Sequence, residues 1–375
     1  MNIKKFKLDK ILIFLIFLLS IISLLSIYSA SMYLSKSLGN LVVKQSFWYL
    51  LGIIVIIIIN KFKINFFIKF APYLYIINNI LLLGLLLFAP EINGSKCWYV
   101  IEGIGSFQPS EFMKISLILM EAYILNKFQD KYKNPTLLQE FKLILLIGIT
   151  LLIPSLLTFL EPDTGSIITY FIITIIILLI SGIKLRWFVG IGFIIITIAS
   201  IFFSIYFFKQ NLFIDIFGSD FFYRIDRIIN WKNGSGMQLE NSLVAISSSG
   251  ITGHGFNNTP IYFPEAGTDF IFTVFASNFG LIGSFILLLL ILFLDLHIIK
   301  IGKDSKNNAN KYIISGIIGI LLYQQMQNIS MTIGLLPITG ITLPFISYGG
   351  SSLIAYMVLI GFCLCIYNDN KKETI

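Results

Sequence analysis

The stretch Tyr262–Phe272, YFPEAGTDFIF, sets two acids, Glu265 and Asp269, beside a proline and a glycine. It opens at once into an apolar run, FIFTVFASNFGLIGSFILLLLILFL, from Phe270 to Leu294. A run of that length is a bilayer span. A carboxylate at its mouth is costly if it faces lipid. Asp269 therefore either caps the helix that follows or faces a wet cavity inside the protein.

The rest of the chain extends the first half of that reading. Of its 375 residues, 57% are hydrophobic and only 12% are charged, too few to clothe a soluble fold of this size. Ten apolar stretches follow one another: 11–30, 46–60, 71–90, 110–126, 142–160, 165–182, 187–208, 270–298, 312–336 and 346–367. They are continuous rather than alternating, which sets aside a β-barrel. The expected fold is an all-α polytopic membrane protein of about ten transmembrane helices, a single domain over 1–375. The first stretch exceeds the 7–15 residues of a signal peptide core and reads as an uncleaved span.

The net charge of +8 follows topology rather than nucleic acid. With the N-terminus inside, nineteen of the 27 Lys and Arg residues fall on inner segments and seven on outer ones. Lys114 stays within a span. This asymmetry puts both termini in the cytoplasm and makes 209–269 a large extracellular loop between helices 7 and 8. Loops of that length are often functional. Its apolar patches, NLFIDIFGSDFFY and NSLVAISSSGI, suit amphipathic or re-entrant segments. Three cysteines and two histidines give neither a disulfide framework nor a zinc pattern.

Ionisable residues near the membrane are the candidate chemistry. In FQPSEFMKISLILME, Ser110 suits a helix N-cap after Pro109. Glu111 and Lys114 share one helical face. They form either an internal pair that fixes packing or a cavity wall that meets an anionic substrate. In LEPDTGS, Asp163 or Thr164 suits the cap of the next helix. Asp295 and His297 read as an interfacial pair. The last outer segment, GLLPITGITLPFISYGGSS, has helix-breaking Pro337 and Pro344 among four glycines. Non-helical backbone there fits the lining of a cavity.

Five blocks together resemble the SEDS family, the shape, elongation, division and sporulation proteins that include RodA and FtsW. The most specific is NISMTIGLLPITGITLPFISYGGSSLI, Asn328–Ile354. NGSKCWYVIEGIGSFQPSEFMK, EPDTGS and FPEAGTDFIF match further blocks in order, and YSAS, Tyr28–Ser31, matches the end of the first span. The resemblance implies a peptidoglycan glycosyltransferase of the bacterial plasma membrane, polymerising lipid II at its outer face with a class B penicillin-binding protein as partner. By the same resemblance Asp269 is the catalytic residue, and Trp98, Glu111 and Lys114 belong to the substrate region.

The chemistry asks for a base on the attacking hydroxyl and cations on the departing pyrophosphate. Lys114, Arg224, Arg227 and Lys96 are the candidate cations, Trp98 a sugar platform, and Asp163 a further polar wall. The sequence shows no dedicated metal ligand set, and a divalent cation such as Mg or Mn on the pyrophosphate is left open. Four places depart from the family pattern: Gly267 replaces a His, Ser277 and Asn278 an acidic pair, Asn241 a Gln, and Ser247–Gly250 a glycine-rich block. A lipid II flippase and a non-catalytic scaffold for the penicillin-binding protein are the rival readings. Within the family the short tails favour the RodA type over a division or sporulation role.

Overall fold

The computed structural model describes residues 8–31, 40–91, 94–101, 105–229 and 236–373, with backbone alone at 101, 220, 224, 227, 228, 372 and 373. Among these residues there are thirteen helices and one small hairpin. In chain order they are α1 (Lys10–Ser31), α2 (Leu41–Lys61), α3 (Ile64–Phe88), β1 (Tyr99–Ile101), β2 (Gly105–Phe107), α4 (Pro109–Lys131), α5 (Leu137–Leu160) and α6 (Thr164–Ile180). Next come α7 (Leu185–Phe208), α8 (Gln210–Phe217), α9 (Ser219–Ile229), α10 (Gly236–Ser248), α11 (Ile271–Lys303), α12 (Asn308–Thr332) and α13 (Gly350–Glu373). The antiparallel hairpin pairs Tyr99 with Phe107 and Val100 with Ser106.

Each of the ten apolar stretches overlaps one long helix, because a helix alone satisfies its own backbone in hydrocarbon. The boundaries shift. The second stretch begins at Leu41, where Asn40 caps α2 by accepting from Val43 N at 3.2 Å. The ninth stops at Thr332, leaving 333–349 outside helices as its prolines and glycines require. Among the described residues seven helices are long and apolar enough to cross a membrane. Thr164–Ile180 is a shorter apolar helix, and α4 and α12 are not among the seven.

The last two differ because they form the interior. α4 packs against α3, α5, α6, α12 and α13, and α12 against α4, α6 and α11. Glu111, Lys114 and Glu121 on α4 are buried, as are Gln324, Gln325, Gln327 and Asn328 on α12. Polar side chains on central helices meet protein rather than lipid. In α7, by contrast, Tyr206 is the only buried side chain among the described residues.

Contacts sort the connecting segments into two ends. At one end Cys97 Sγ meets Glu161 O at 3.0 Å, Gln108 Nε2 reaches Asp163, and Asn278 Nδ2 donates to Ser29 Oγ at 2.8 Å. At the other end Gln129 Nε2 donates to Ser181 O and Asn308 Nδ2 to Gln129 Oε1. His297 also lies there. It pairs with Asp9 (Nε2 to Oδ2, 2.7 Å), which caps α1, rather than with the expected Asp295. Asp295 instead accepts from Gln325 Nε2 at 3.2 Å. Residues two apart point to different sides of a helix, so Asp295 and His297 have separate partners.

Within α11 the helix breaks at Gly280, whose φ is +62°. Residues 250–255 lie against the break. Leu281 N and Ile282 N donate to Gly250 O and Ile251 O, while His254 N and Gly255 N donate to Ser277 O and Asn278 O. A Cβ on Gly280 would stand 2.6 Å from Ile251 O, and the left-handed φ alone costs a non-glycine residue about 1–2 kcal/mol. Gly280→Ala is therefore expected to lower the thermal unfolding midpoint in detergent. Gly190→Ala, at a helical glycine with nothing within 4 Å, is expected to leave it unchanged or raise it.

Candidate active site

Asp269 sits at the end of the segment that leads from α10 into α11. Phe263 and Phe270 anchor this segment, both buried, with ring centroids 6.2 Å apart. Between them Glu265 has a φ of +56°, and its carbonyl accepts from Thr268 N at 3.2 Å and Phe270 N at 3.1 Å. The Glu265 carboxylate is used by the turn itself, accepting from Thr268 Oγ1 at 2.7 Å. α10 holds the segment from the other side. Asn241 Nδ2 donates to Tyr262 O at 2.8 Å and Gln238 Nε2 to Pro264 O at 3.2 Å.

The capping alternative for Asp269 fails. The N-cap of α11 is Phe270, and no side chain bonds the first turn. Among the described residues no donor reaches the Asp269 carboxylate. Its Oδ2 lies beside Gly340, where an added Cβ would come within 3.7 Å. Loss of water, with the nearby negative charge of Glu265 second, pushes its pKa up to about 7.

The loop 333–349 runs from Asp269 to α6. At one side Asn328 Nδ2 donates to both Asp269 O and Ile341 O at 2.8 Å. At the other, Gly165 allows Ile341 to pack against the first turn of α6, since a Cβ would meet its Cγ1 at 2.9 Å. Behind it Thr342 Oγ1 contacts Tyr356 OH at 3.2 Å, which donates to Gln324 Oε1 at 2.9 Å.

Glu111 and Lys114 form an ion pair of 2.7 Å, with side-chain exposures of 10% and 3%. The packing role of this pair has its geometry here, whereas contact with an anionic substrate needs the pair to open. Ser110 does not cap α4. Gln108 occupies the N-cap and Pro109 the first turn, where its missing N–H costs nothing. Ser110 Oγ donates instead to Asp163 Oδ2 at 3.0 Å.

Asp163 is the N-cap of α6 and also receives Ser166 N at 3.0 Å, Ser166 Oγ at 2.7 Å and Gln108 Nε2 at 3.2 Å. Its neighbour Glu161 is fully buried with neither carboxyl oxygen bonded, and burial raises its pKa to about 8. That polar environment was not singled out from the sequence. Lys96 and Trp98 are half-buried on the segment leading into β1, which the Cys97–Glu161 contact ties to this turn. Arg224 and Arg227 lie on α9, and their side chains fall outside the described residues. Among the described residues no three His, Cys, Asp or Glu side chains converge.

The replacements at Ser277 and Asn278 are absorbed by neutral hydrogen bonds. His254 Nδ1 lies 3.2 Å from Ser277 Oγ, and Thr259 Oγ1 donates to Asn278 Oδ1 at 3.1 Å.

The profile described as "Cell cycle protein", covering FtsW, RodA and SpoVE, matches residues 9–372. The chain belongs to the FtsW/RodA/SpoVE family. It is similar to the probable peptidoglycan glycosyltransferase FtsW of Lactococcus lactis, with 32% identity over 90% of this chain and 86% of that one. It is also similar to the peptidoglycan glycosyltransferase MrdB of Escherichia coli K12, with 30% identity over 86% and 84%. These values are too close to separate the two types. Among solved structures, RodA of Thermus thermophilus superposes with a TM-score of 0.70 over 99% of both chains at 23% identity. A chain from a study titled "Structural coordination of polymerization and crosslinking by a peptidoglycan synthase complex" gives 0.79 over 96% of this chain and 97% of that one, also at 23% identity. Family and fold together make this FtsW/RodA/SpoVE protein a multi-pass membrane protein.

Proposed function

We propose that this family member is a peptidoglycan glycosyltransferase that polymerises lipid II, with Asp269 as general base. The observation that carries this reading is a half-buried carboxylate at one end of the helical bundle that neither caps a helix nor accepts a described hydrogen bond. Such a group is spare for chemistry. Its hydroxyl-bearing partner would be one lipid-linked sugar, and the second sugar would present its anomeric carbon. The carboxylate takes the hydroxyl proton as the new C–O bond forms, and the C–O bond to the pyrophosphate breaks. The lipid pyrophosphate leaves with its electron pair. Lys114, Arg224, Arg227 and Lys96 are the cations proposed to receive that charge, with Trp98 and Asp163 along the sugar.

The asymmetry of Lys and Arg supports placing this end, and residues 209–269, outside the plasma membrane with both termini in the cytoplasm. A class B penicillin-binding protein is the proposed partner. The test is polymerisation of lipid II in liposomes by the purified protein, with and without such a partner. Glycan polymer is the expected product. Its absence with a bound partner overturns the reading and favours a flippase or scaffold.

The raised pKa adds a pH dependence. A base works only when ionised, and Asp269 ionises through about pH 7. The initial rate is expected to fall about tenfold per unit as pH drops below that value, and to level above it. A rate unchanged between pH 5.5 and 8 excludes a base of that pKa.

A further inference from the structure

We infer that Asn328 and Ser347 are positioning residues that clamp the backbone of Asp269, an inference that rests on the reading of Asp269 as the base. Three consecutive carbonyls of the segment each receive a hydrogen bond. Gly267 O accepts from Tyr348 N at 2.8 Å, Thr268 O from Ser347 Oγ at 2.6 Å, and Asp269 O from Asn328 Nδ2 at 2.8 Å. All three donors lie in or just before the non-helical loop 333–349. None of them touches the Asp269 carboxylate, so they act on where it points rather than on its proton.

Each donor is itself fixed. The Asn328 amide has two N–H groups, and the second goes to Ile341 O at 2.8 Å. This side chain is fully buried and joins α11's entry segment to the loop in one plane. The Ser347 hydroxyl accepts from Leu343 N at 2.8 Å while it donates to Thr268 O, so it cannot rotate without losing one partner. The loop is held in turn by the first two helices. Ser23 Oγ donates to Ile346 O at 2.8 Å, Tyr49 OH donates to Phe345 O, and Gln45 Nε2 donates to Ser347 O at 3.2 Å.

Phe345 has a φ of +64°, a conformation that a bulky side chain keeps only where its surroundings over-determine it. The loop therefore carries rigidity from α1, α2 and α12 to the two dihedrals that aim Asp269. Gly340, with φ +71° and no side chain, leaves the space beside Oδ2 open.

A small misplacement of a reacting group costs about a hundredfold in rate without changing what binds. The experiment compares Asn328→Asp, Ser347→Ala and Ser347→Thr with wild type and Asp269→Asn, measuring kcat, KM for lipid II and the pH–rate profile. Asn328→Asp keeps the outline but replaces two donors with acceptors. Ser347→Ala removes one donor, and Ser347→Thr keeps it.

The expected result is a fall in kcat of about tenfold or more for Asn328→Asp and Ser347→Ala, with KM within about twofold. Their acid limb moves to lower pH, because a loosened carboxylate regains water. Ser347→Thr keeps the wild-type limb. If Asn328→Asp does not fold, Ser347→Ala carries the test alone. A wild-type kcat, or a loss that follows the folded fraction with the acid limb unmoved, overturns the clamp. An active Asp269→Asn overturns the base reading and this inference with it. An inactive Asp269→Asn beside unaltered Asn328→Asp and Ser347→Ala overturns this inference alone.

Discussion

Asp269→Asn is expected to cut the rate of lipid II polymerisation by about 10²–10⁴, or about 3–5 kcal/mol of activation free energy, the usual contribution of a positioned base. The substitution is close to isosteric, and the carboxylate accepts no described hydrogen bond that folding would miss. It also removes a charge that is partly withdrawn from water. The variant should therefore fold as well as wild type, with an equal or higher melting temperature, and should bind lipid II with similar affinity. These two controls make a loss of polymer a chemical loss. Equal polymer from both proteins removes Asp269 from the reaction. Asp269→Glu keeps the carboxylate but carries it one methylene further, towards Gly340. It should recover little of the rate, because the neighbouring loop fixes the position at which a base is useful.

Much of the fold was legible because the bilayer leaves helices as the spanning solution for long apolar stretches. Each stretch found its helix, including charged α4. The patches inside 209–269 overlap α8, α9 and α10. What the sequence hid was which distant groups meet. His297 and Asp295 are two residues apart in the chain, yet the partner of His297 is Asp9, 288 residues away. Local spacing carries no signal for such a pair.

The capping errors have a local cause. Asp269 was one residue too early to cap α11, and Pro109 took the first helical position that Ser110 was expected to precede. Boundaries at that precision depend on backbone angles set by packing. Asn328 and Ser347 stood inside the most specific quoted motif. Their individual tasks emerged only when the loop was seen folded back onto Gly267, Thr268 and Asp269. The burial of Glu161, wedged beside Cys97 and the α6 cap, was equally invisible in EPDTGS, where it reads as an ordinary turn acid.

The second large effect is expected at Lys114. Replacing it with methionine removes the partner 2.7 Å from Glu111 and leaves a carboxylate with 10% exposure inside the bundle. Breaking a buried pair in this way costs about 3–5 kcal/mol, seen as a lower melting temperature and less folded protein from the membrane. Glu111→Gln alone leaves the ammonium unpaired and should cost a similar amount. The double variant Glu111→Gln, Lys114→Met should recover most of the loss, since an uncharged pair of similar volume no longer needs desolvated charge. That recovery separates the two roles of Lys114. If the pair serves packing alone, the double variant both folds and polymerises lipid II. If Lys114 leaves Glu111 to meet the departing pyrophosphate, the double variant folds but its kcat stays low, because position 114 then has no cation to offer the transition state. Stability that returns without activity would therefore place Lys114 in the chemistry, and the return of both would confine it to the helix interface.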